Sequence, residues 1–415
     1  MILADLHIHS KYSRGCSNKI TLDQLSYYGK LKGLNLIGTG DFTHPLWFQE
    51  IKQYEEEDGV IRVNDVNFIY QTEINLVYSQ DAKVRRIHLV LLAPDRSKVE
   101  EINEFLSKKG NLKADGRPTF GNYKAYELVE DMKSIDNAIE IIPAHIWTPW
   151  FGIFGSKSGF DSLKEAFQDQ TKHIHAIETG LSSDPLMNWR IKELHNVSII
   201  SSSDAHSFWP WRIGREATFF NISNDNLSYE EIIKAIRQKK VHSTVEVDPS
   251  YGKYHFDGHR NCNISLHPKE AIKLNNICPV CNKPLTLGVL HRVEELADYD
   301  EEKVKMMDFE AKKPYYTLLP LAELIANALN KRLEAKEVRE KYFKLVSRFG
   351  SEMNILLNVP IDEIKKEFNN AMFIDMLMLN RKGKLPVVPG YDGVYGKIDK
   401  EKIKEMLKGS LMRFI

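Results

Sequence analysis

The segment Asp5-Leu6-His7-Ile8-His9 alternates an acid and two imidazoles with aliphatic residues. In an extended chain residues two apart share a face, so Asp5, His7 and His9 are expected to project together from one strand. Residues of the same kind recur in Thr39-Gly40-Asp41-Phe42-Thr43-His44, in Gln71-Thr72-Glu73, at His88, in Pro143-Ala144-His145, in Ile177-Glu178-Thr179 and in Ser203-Asp204-Ala205-His206. Burying such carboxylates and imidazoles without partners is costly, whereas shared divalent cations satisfy them together. Clustered zinc-type ions activate water near neutral pH and stabilise charge on a phosphoryl group. Hydrolysis of a phosphate ester is therefore the chemistry that this set suits.

A second group is of a different type. His259-Arg260-Asn261-Cys262 and Cys278-Pro279-Val280-Cys281 are two knuckles of x-x spacing, flanked by residues that turn tightly. One imidazole and three thiolates complete a tetrahedral zinc site with no open position, so this site reads as structural zinc. His267 is the alternative to His259 as fourth ligand. Cys16 stands apart from the other three of the four cysteines and reads as a loop or core residue.

The elements that must carry the first group follow from periodicity. Seven β-like runs stand out: Ile2–Ile8, Leu34–Thr39, Asn67–Ile74, Arg86–Leu92, Ala138–Ala144, His173–Thr179 and Val197–Ser202. Amphipathic segments such as Thr21–Lys32 and Pro185–His195 lie between them. Each run delivers an Asp, Glu or His, mostly at its carboxyl end, where βα barrels assemble their sites. A parallel barrel is the simplest closure. From about Asp248 to Asp298 periodicity fades and Cys, His, Asn, Gly and Pro gather, as in a small metal-stapled module. Beyond Glu301, Leu318–Leu333, Glu337–Gly350, Ile361–Met372 and Lys400–Lys408 read as helices. The expected organisation is α/β: a barrel over 1–247, a small zinc-binding module over 248–298 and a helical C-terminal domain over 299–415.

Composition sets outer bounds. A chain of 415 residues exceeds what one hydrophobic core usually serves. Lys+Arg and Asp+Glu balance at 57 each, so total charge does not by itself point to nucleic acid. Any basic surface must be local, as at Lys108-Lys109, Arg212 with Arg215, Arg237 with Lys239-Lys240, or Arg381-Lys382 with Lys384. No apolar run has membrane-spanning length, and the first residues lack the pattern of a secretory signal. The expectation is a soluble cytoplasmic protein with no membrane partner.

The Asp-x-His-x-His of residues 5–9 and the Ser-Asp-Ala-His of residues 203–206 resemble the signatures of the polymerase and histidinol phosphatase (PHP) phosphoesterases. That resemblance implies a seven-stranded distorted βα barrel with up to three metal ions, zinc with manganese or magnesium as substitutes. It implies that His7, His9, Glu73 and Asp204 hold one ion, that Glu73, His88 and His145 hold another, and that Asp41 and His206 serve a third. Glu73 would bridge, and Asp204 with His206 would position metal and water as catalytic residues. Glu178 reads either as a residue orienting the ligands or as a strand-end carboxylate. The pattern departs from the family at two places. No His stands near Ser13-Arg14-Gly15, and Asp41 is followed by Phe42, with His44 as the candidate replacement.

Over nearly its full length the chain resembles the endonuclease Q family. The resemblance rests on Thr39-Gly40-Asp41-Phe42-Thr43-His44-Pro45, Glu178-Thr179-Gly180-Leu181-Ser182-Ser183-Asp184-Pro185, Phe349-Gly350-Ser351-Glu352 and Val388-Pro389-Gly390-Tyr391-Asp392-Gly393. It implies a DNA repair endonuclease that cuts 5′ to uracil, hypoxanthine, xanthine or an abasic site and leaves 3′-hydroxyl and 5′-phosphate ends. Such an enzyme extrudes the damaged base. Trp147, Trp150 and Phe151, in the loop after His145, and Tyr391 are the candidate DNA or base contacts; the loop aromatics alternatively pack on one another, and Pro389–Gly393 is also a good turn. The terminal residues Lys408, Leu411, Phe414 and Ile415 resemble a sliding-clamp ligand, or else tuck into the core. A small-molecule phosphatase of histidinol-phosphate type and a non-catalytic metal-stabilised DNA-binding scaffold are the rival readings.

Overall fold

A computed structural model describes residues 1–411, with side chains described as far as residue 406. Two compact units are present: Met1–Val245 with Glu295–Tyr315, and Glu246–Glu294 with the chain from Tyr316 onward. The zinc knuckles and the later helices therefore share one unit. The stretch 295–315 belongs to the other, where Phe309 stacks on His195 at 3.9 Å and Asp298 accepts the Lys192 N–H. Aromatic stacking of this kind is not legible from the composition shift that marks residues 248 and 298.

In the first unit every expected barrel strand forms: β1 (Ile2–Asp5), β2 (Leu36–Gly38), β3 (Val66–Gln80), β4 (Lys83–Ala93), β5 (Glu140–Pro143), β6 (Ala176–Glu178) and β7 (Ser198–Ile200). β1 pairs with β2 and β2 with β3 in parallel, as do β6 and β7. The ring is completed by single links, the Ile146 N–H to the Glu178 carbonyl at 3.1 Å and the His9 N–H to the Ala205 carbonyl at 3.0 Å. These weak seams make the barrel a distorted one.

The closure is not all parallel. β4 runs against both β3 and β5. Asp81 and Ala82, at φ 53° and 58°, turn the chain directly from Gln80 to Lys83. Two successive positive φ values match the twist of a hairpin, but Asp-Ala lacks the glycine that announces such a turn. The hairpin sets Glu73 opposite Val90 and Asn75 opposite His88, so Glu73 and His88 lie diagonally on adjoining strands.

The barrel interior is filled by Ile2, Leu36, Val90, Ile142, Ala176 and Ile200, closed by helix α1 (Tyr229–Arg237) through Ile232, Ile233 and Ile236. Ser228 caps that helix by accepting the Glu231 N–H. With one end plugged by hydrocarbon, the polar strand ends can meet only at the other.

In the second unit a hairpin, β8 (Asp257–His259) and β9 (Ile264–Leu266), carries the first knuckle. Helices follow at α2 (Leu321–Leu329), α3 (Lys336–Phe349) and α4 (Ala371–Arg381), with short ones at Glu352–Leu357 and Ile361–Glu367. The single helix expected over Ile361–Met372 is thus two, separated at Phe368–Asn370, where Asn370 caps the next helix by accepting the Phe373 N–H. Buried Glu352 joins three of these segments by accepting the Leu321 N–H and the Tyr342 hydroxyl, each at 2.9 Å. The last helix spans Lys400–Leu411. Of the terminal peptide, Lys408 and Leu411 have no described side chains, and Phe414 and Ile415 lie outside the described residues. No described helix is long and apolar enough to cross a membrane.

Candidate metal centre

At the open end of the barrel the chain leaves three of the strands by an unusual step. Asp41, His145 and Asp204 have φ of 42°, 31° and 47°, the left-handed region that non-glycine residues seldom occupy. Gly180 lies so close to His145 that a Cβ there would overlap the His145 side chain. Backbone strain of this kind, about 1–3 kcal/mol per residue, persists where the surroundings impose it and clusters at functional sites.

The strained turns bring donor atoms into two groups. Glu73 Oε1, His88 Nδ1 and His145 Nε2 form a triangle with edges of 2.7, 3.1 and 3.3 Å. His7, His9 and Asp204 form the second, with His9 Nε2 at 3.1 Å and His7 Nε2 at 3.8 Å from Asp204 Oδ1. Glu73 reaches both groups, since its Oε1 is 3.7 Å from His7 Nε2 and its Oε2 is 3.2 Å from His9 Nε2. His7 Nε2, His9 Nε2 and Asp204 Oδ1 are buried and lack a hydrogen bond. Orphaned buried atoms of ligand type, converging from separate strands, are what divalent ions would satisfy, so the residues fit metal.

The opposite edges of the imidazoles are occupied. Glu178 accepts from His7 Nδ1 at 3.0 Å and from the His145 N–H at 3.0 Å. Asp41 takes His9 Nδ1 at 3.0 Å. Such contacts fix the tautomer that leaves Nε2 free toward a metal. Glu178 is thus an orienting carboxylate.

Asp5 departs from the expected alignment. Its carboxylate accepts the Ser203 N–H and hydroxyl and the Gly214 N–H, bracing the turn that carries Asp204 instead of joining His7 and His9. Burial raises its pKa to about 6 against these hydrogen bonds.

The electrostatics ask for cations. Burial opposes charge on Glu73, yet His88, Arg117 and His7 hold its carboxyl well below the usual range. Burial likewise opposes charge on His7 and His9, but Glu178 and Glu73 around the first, and Asp41 and Asp204 around the second, raise both imidazoles. Burial drives His88 down to about 4 despite Glu73, which leaves a neutral ring with a lone pair to offer.

Comparison with solved structures decides the lineage. The lesion-specific endonuclease PfuEndoQ from Pyrococcus furiosus superimposes with a TM-score of 0.84 and 35% identity, covering 96% of this chain and 94% of that one. Endonuclease Q in complex with a 27-mer duplex bearing an abasic lesion at its active site superimposes at 0.83, also with 35% identity, covering 97% and 98%. The chain belongs to the endonuclease Q family. It is accordingly a metal-dependent nuclease acting on DNA. A protein of Methanocaldococcus jannaschii, MJ0043, is 36% identical over 61% of this chain, a region that is only 31% of that longer relative. The family model of the MJ0043 C-terminal domain matches residues 320–375.

Other expected site residues have different surroundings from those read off the sequence. Asp41 and His206 join no group of three donors among the described residues, so a third ion finds no ready cluster. Asp41 is engaged by His9, the Ser10 N–H and the Ser13 hydroxyl, while His206 Nδ1 donates to the Asp204 carbonyl at 2.9 Å. His44 stacks on Tyr12 at 4.2 Å and joins no group either.

Trp147 is 1% exposed, with its indole N–H on Asn188, so it packs the loop and is not open to a base. Phe151 stacks on His88 at 4.3 Å, behind a ligand. Trp150, at 43% exposure, is the loop aromatic turned to solvent. Tyr391 donates to Asn263 Oδ1 and lies over Gly258, which ties it to the zinc hairpin.

The second unit gathers His259, Cys262, Cys278 and Cys281 within one coordination shell. His267 instead caps a short helix by accepting the Lys269 N–H, so His259 is the imidazole of the set. Asn263 and Asn282, at φ 54° and 56°, each follow a knuckle and turn the chain away. Asparagine tolerates that conformation.

One site residue is absent from the sequence reading. Arg117 Nη1 lies 2.9 Å from Glu73 Oε2. It sits after the turn Asp115-Gly116 and before Pro118, where only a loop is legible.

Proposed function

We propose that the chain hydrolyses the phosphodiester 5′ to a deaminated base (uracil, hypoxanthine or xanthine) or an abasic site, leaving 3′-hydroxyl and 5′-phosphate ends. The observation that carries this reading is Glu73, one carboxylate within reach of two donor groups at the barrel mouth. The lesion class draws support from the relative held with an abasic duplex.

His7, His9 and Asp204 would hold one divalent ion and Glu73, His88 and His145 another, zinc matching these donors best and manganese or magnesium substituting. Bound there, such ions polarise a phosphoryl oxygen and make water acidic. The chain's residues do the rest. Glu73, fully buried, fixes the separation of the two groups. Asp41 and Glu178 keep His9 and His7 turned inward. Asp204 and His206, about one-third exposed, line the side by which water and phosphate enter. There Asp204 is held as a carboxylate by the imidazoles around it, against its burial. Trp150 supplies a flat apolar face for a base displaced from its stack. The second unit, with its zinc hairpin and helices, serves to hold the duplex; hydrolysis of a small phosphate ester does not require it.

The test is end-mapping on one oligonucleotide series carrying uracil, hypoxanthine, xanthine or an abasic site, with histidinol phosphate assayed beside it. Nicks immediately 5′ to the lesion, with 3′-hydroxyl ends, are the expected result. Turnover of histidinol phosphate alone would make the chain a small-molecule phosphatase.

A further inference from the structure

The stretch between the helix Arg96–Ser107 and the strand Thr119–Gly121 reaches over the donor cluster, and its position is heavily determined. The Gly116 N–H donates to the Tyr12 carbonyl at 3.0 Å, and the Thr43 hydroxyl donates to the Gly116 carbonyl at 3.4 Å. A methyl group on Gly116 would overlap the Asp41 carboxylate and the Ser13 hydroxyl, so only glycine lets the loop lie this close. Asp115 Oδ1 accepts the backbone N–H groups of both Arg14 and Arg117, which closes the turn. So many constraints on an otherwise irregular segment serve to place one side chain, Arg117.

That side chain is 25% exposed, with its Nη1 on fully buried Glu73 and Asp204 close enough to favour its positive charge. Two divalent ions would neutralise the buried carboxylates Glu73, Asp41 and Glu178 together with the partly exposed Asp204. The guanidinium would then stand over the cluster as a cation in need of an anion. Its remaining N–H donors form a planar fork that matches the oxygens of a phosphate.

We propose that Arg117 is a catalytic residue that binds the non-bridging oxygens of the scissile phosphate. This rests on the endonuclease reading above. The alternative is that Arg117 only holds Glu73 in place for its metals.

The experiment compares the metal-loaded wild type with Arg117→Ala and Arg117→Lys. Each is titrated with the nicked product duplex, prepared with and without the phosphate at the nick, by fluorescence anisotropy, and bound metal is measured by elemental analysis. Wild type is expected to prefer the phosphorylated nick by about tenfold or more, the scale of one charge-assisted bidentate contact. Arg117→Ala should lose about tenfold of that preference with full metal content, the remainder being due to the ions, and Arg117→Lys should lose less. An unchanged preference in Arg117→Ala overturns the inference. Loss of metal from that variant also overturns it, assigning Arg117 to the support of Glu73. A wild type that fails to nick lesion DNA at all overturns the endonuclease reading itself, a result separable from the other two.

Discussion

Asp41 holds His9 by its Nδ1 at 3.0 Å, and its second carboxylate oxygen is taken by the Ser10 N–H at 2.6 Å and the Ser13 hydroxyl at 2.8 Å. A carboxylate held on both oxygens in this way is placed to orient His9. Asp41→Asn is therefore expected to lower metal affinity in the barrel by about 10–100-fold, the usual effect of losing such a partner. The number of ions bound at saturating metal should not change. Chelator competition and elemental analysis check this, and a permanent loss of one ion per chain would instead make Asp41 a ligand.

The two tryptophans of the loop after His145 should separate stability from binding. Trp147 is buried with its indole N–H on Asn188, so Trp147→Ala should cost about 3–5 kcal/mol of stability. Trp150→Ala removes an exposed ring and should leave the melting temperature nearly unchanged. Affinity for lesion duplex should fall by about tenfold or more, the range of one stacked base. Denaturant melts and DNA titrations of the two variants provide the measurement. Equal DNA binding by Trp150→Ala and wild type would remove Trp150 from the interface.

The Cys3His site has no open position, so its metal should support folding only. Cys278→Ser is expected to release one ion per chain and expose the 246–294 region to protease. The ligands of the barrel lie in other segments and should keep their metal. Limited proteolysis with mass mapping tests this, and a variant that resists protease as wild type does would show that the site is dispensable for folding.

His255 provides a pH signature. Burial, with a smaller contribution from His267, pushes its imidazole down to about 4 from an ordinary value near 6.5. Between those values the unfolded chain takes up a proton that the folded one refuses, so stability is intact above pH 6.5 and declines as pH falls toward 4. Thiolate protonation in the zinc site adds its own acid sensitivity, so the readout is a difference. The stability of wild type relative to His255→Leu should fall by about 1–3 kcal/mol between pH 7 and 4. A pH-independent difference would mean that His255 does not titrate as its burial requires.

Much of the barrel was legible because its signals are local. Ile2–Ile8 and the six later runs show strand periodicity, and a polar residue at a strand end reveals itself beside apolar neighbours. The same rule misjudged Asp5, since alternation states which face a side chain takes and not how deep along the barrel axis it stands. The reversal of β4 escaped because a hairpin of Gln80-Asp81-Ala82-Lys83 draws its stability from the long ladder on either side, not from a favourable turn sequence.

The residue types, by themselves, determined that the chain binds metals in two chemically distinct places, imidazole with carboxylate in the barrel and thiolate with imidazole in the module, because ligand preference resides in the side chain. Only the tertiary structure decided which carboxylates join the two donor groups and which hold the far edges of the imidazoles, that His259 and not His267 gathers with the three thiols, that Trp147 is inside and Trp150 exposed, and that Arg117 comes to rest on Glu73. Those outcomes depend on contacts between segments far apart in the chain. Glu73 and Arg117, 44 residues apart, carry no mark of each other until the loop closes over the barrel.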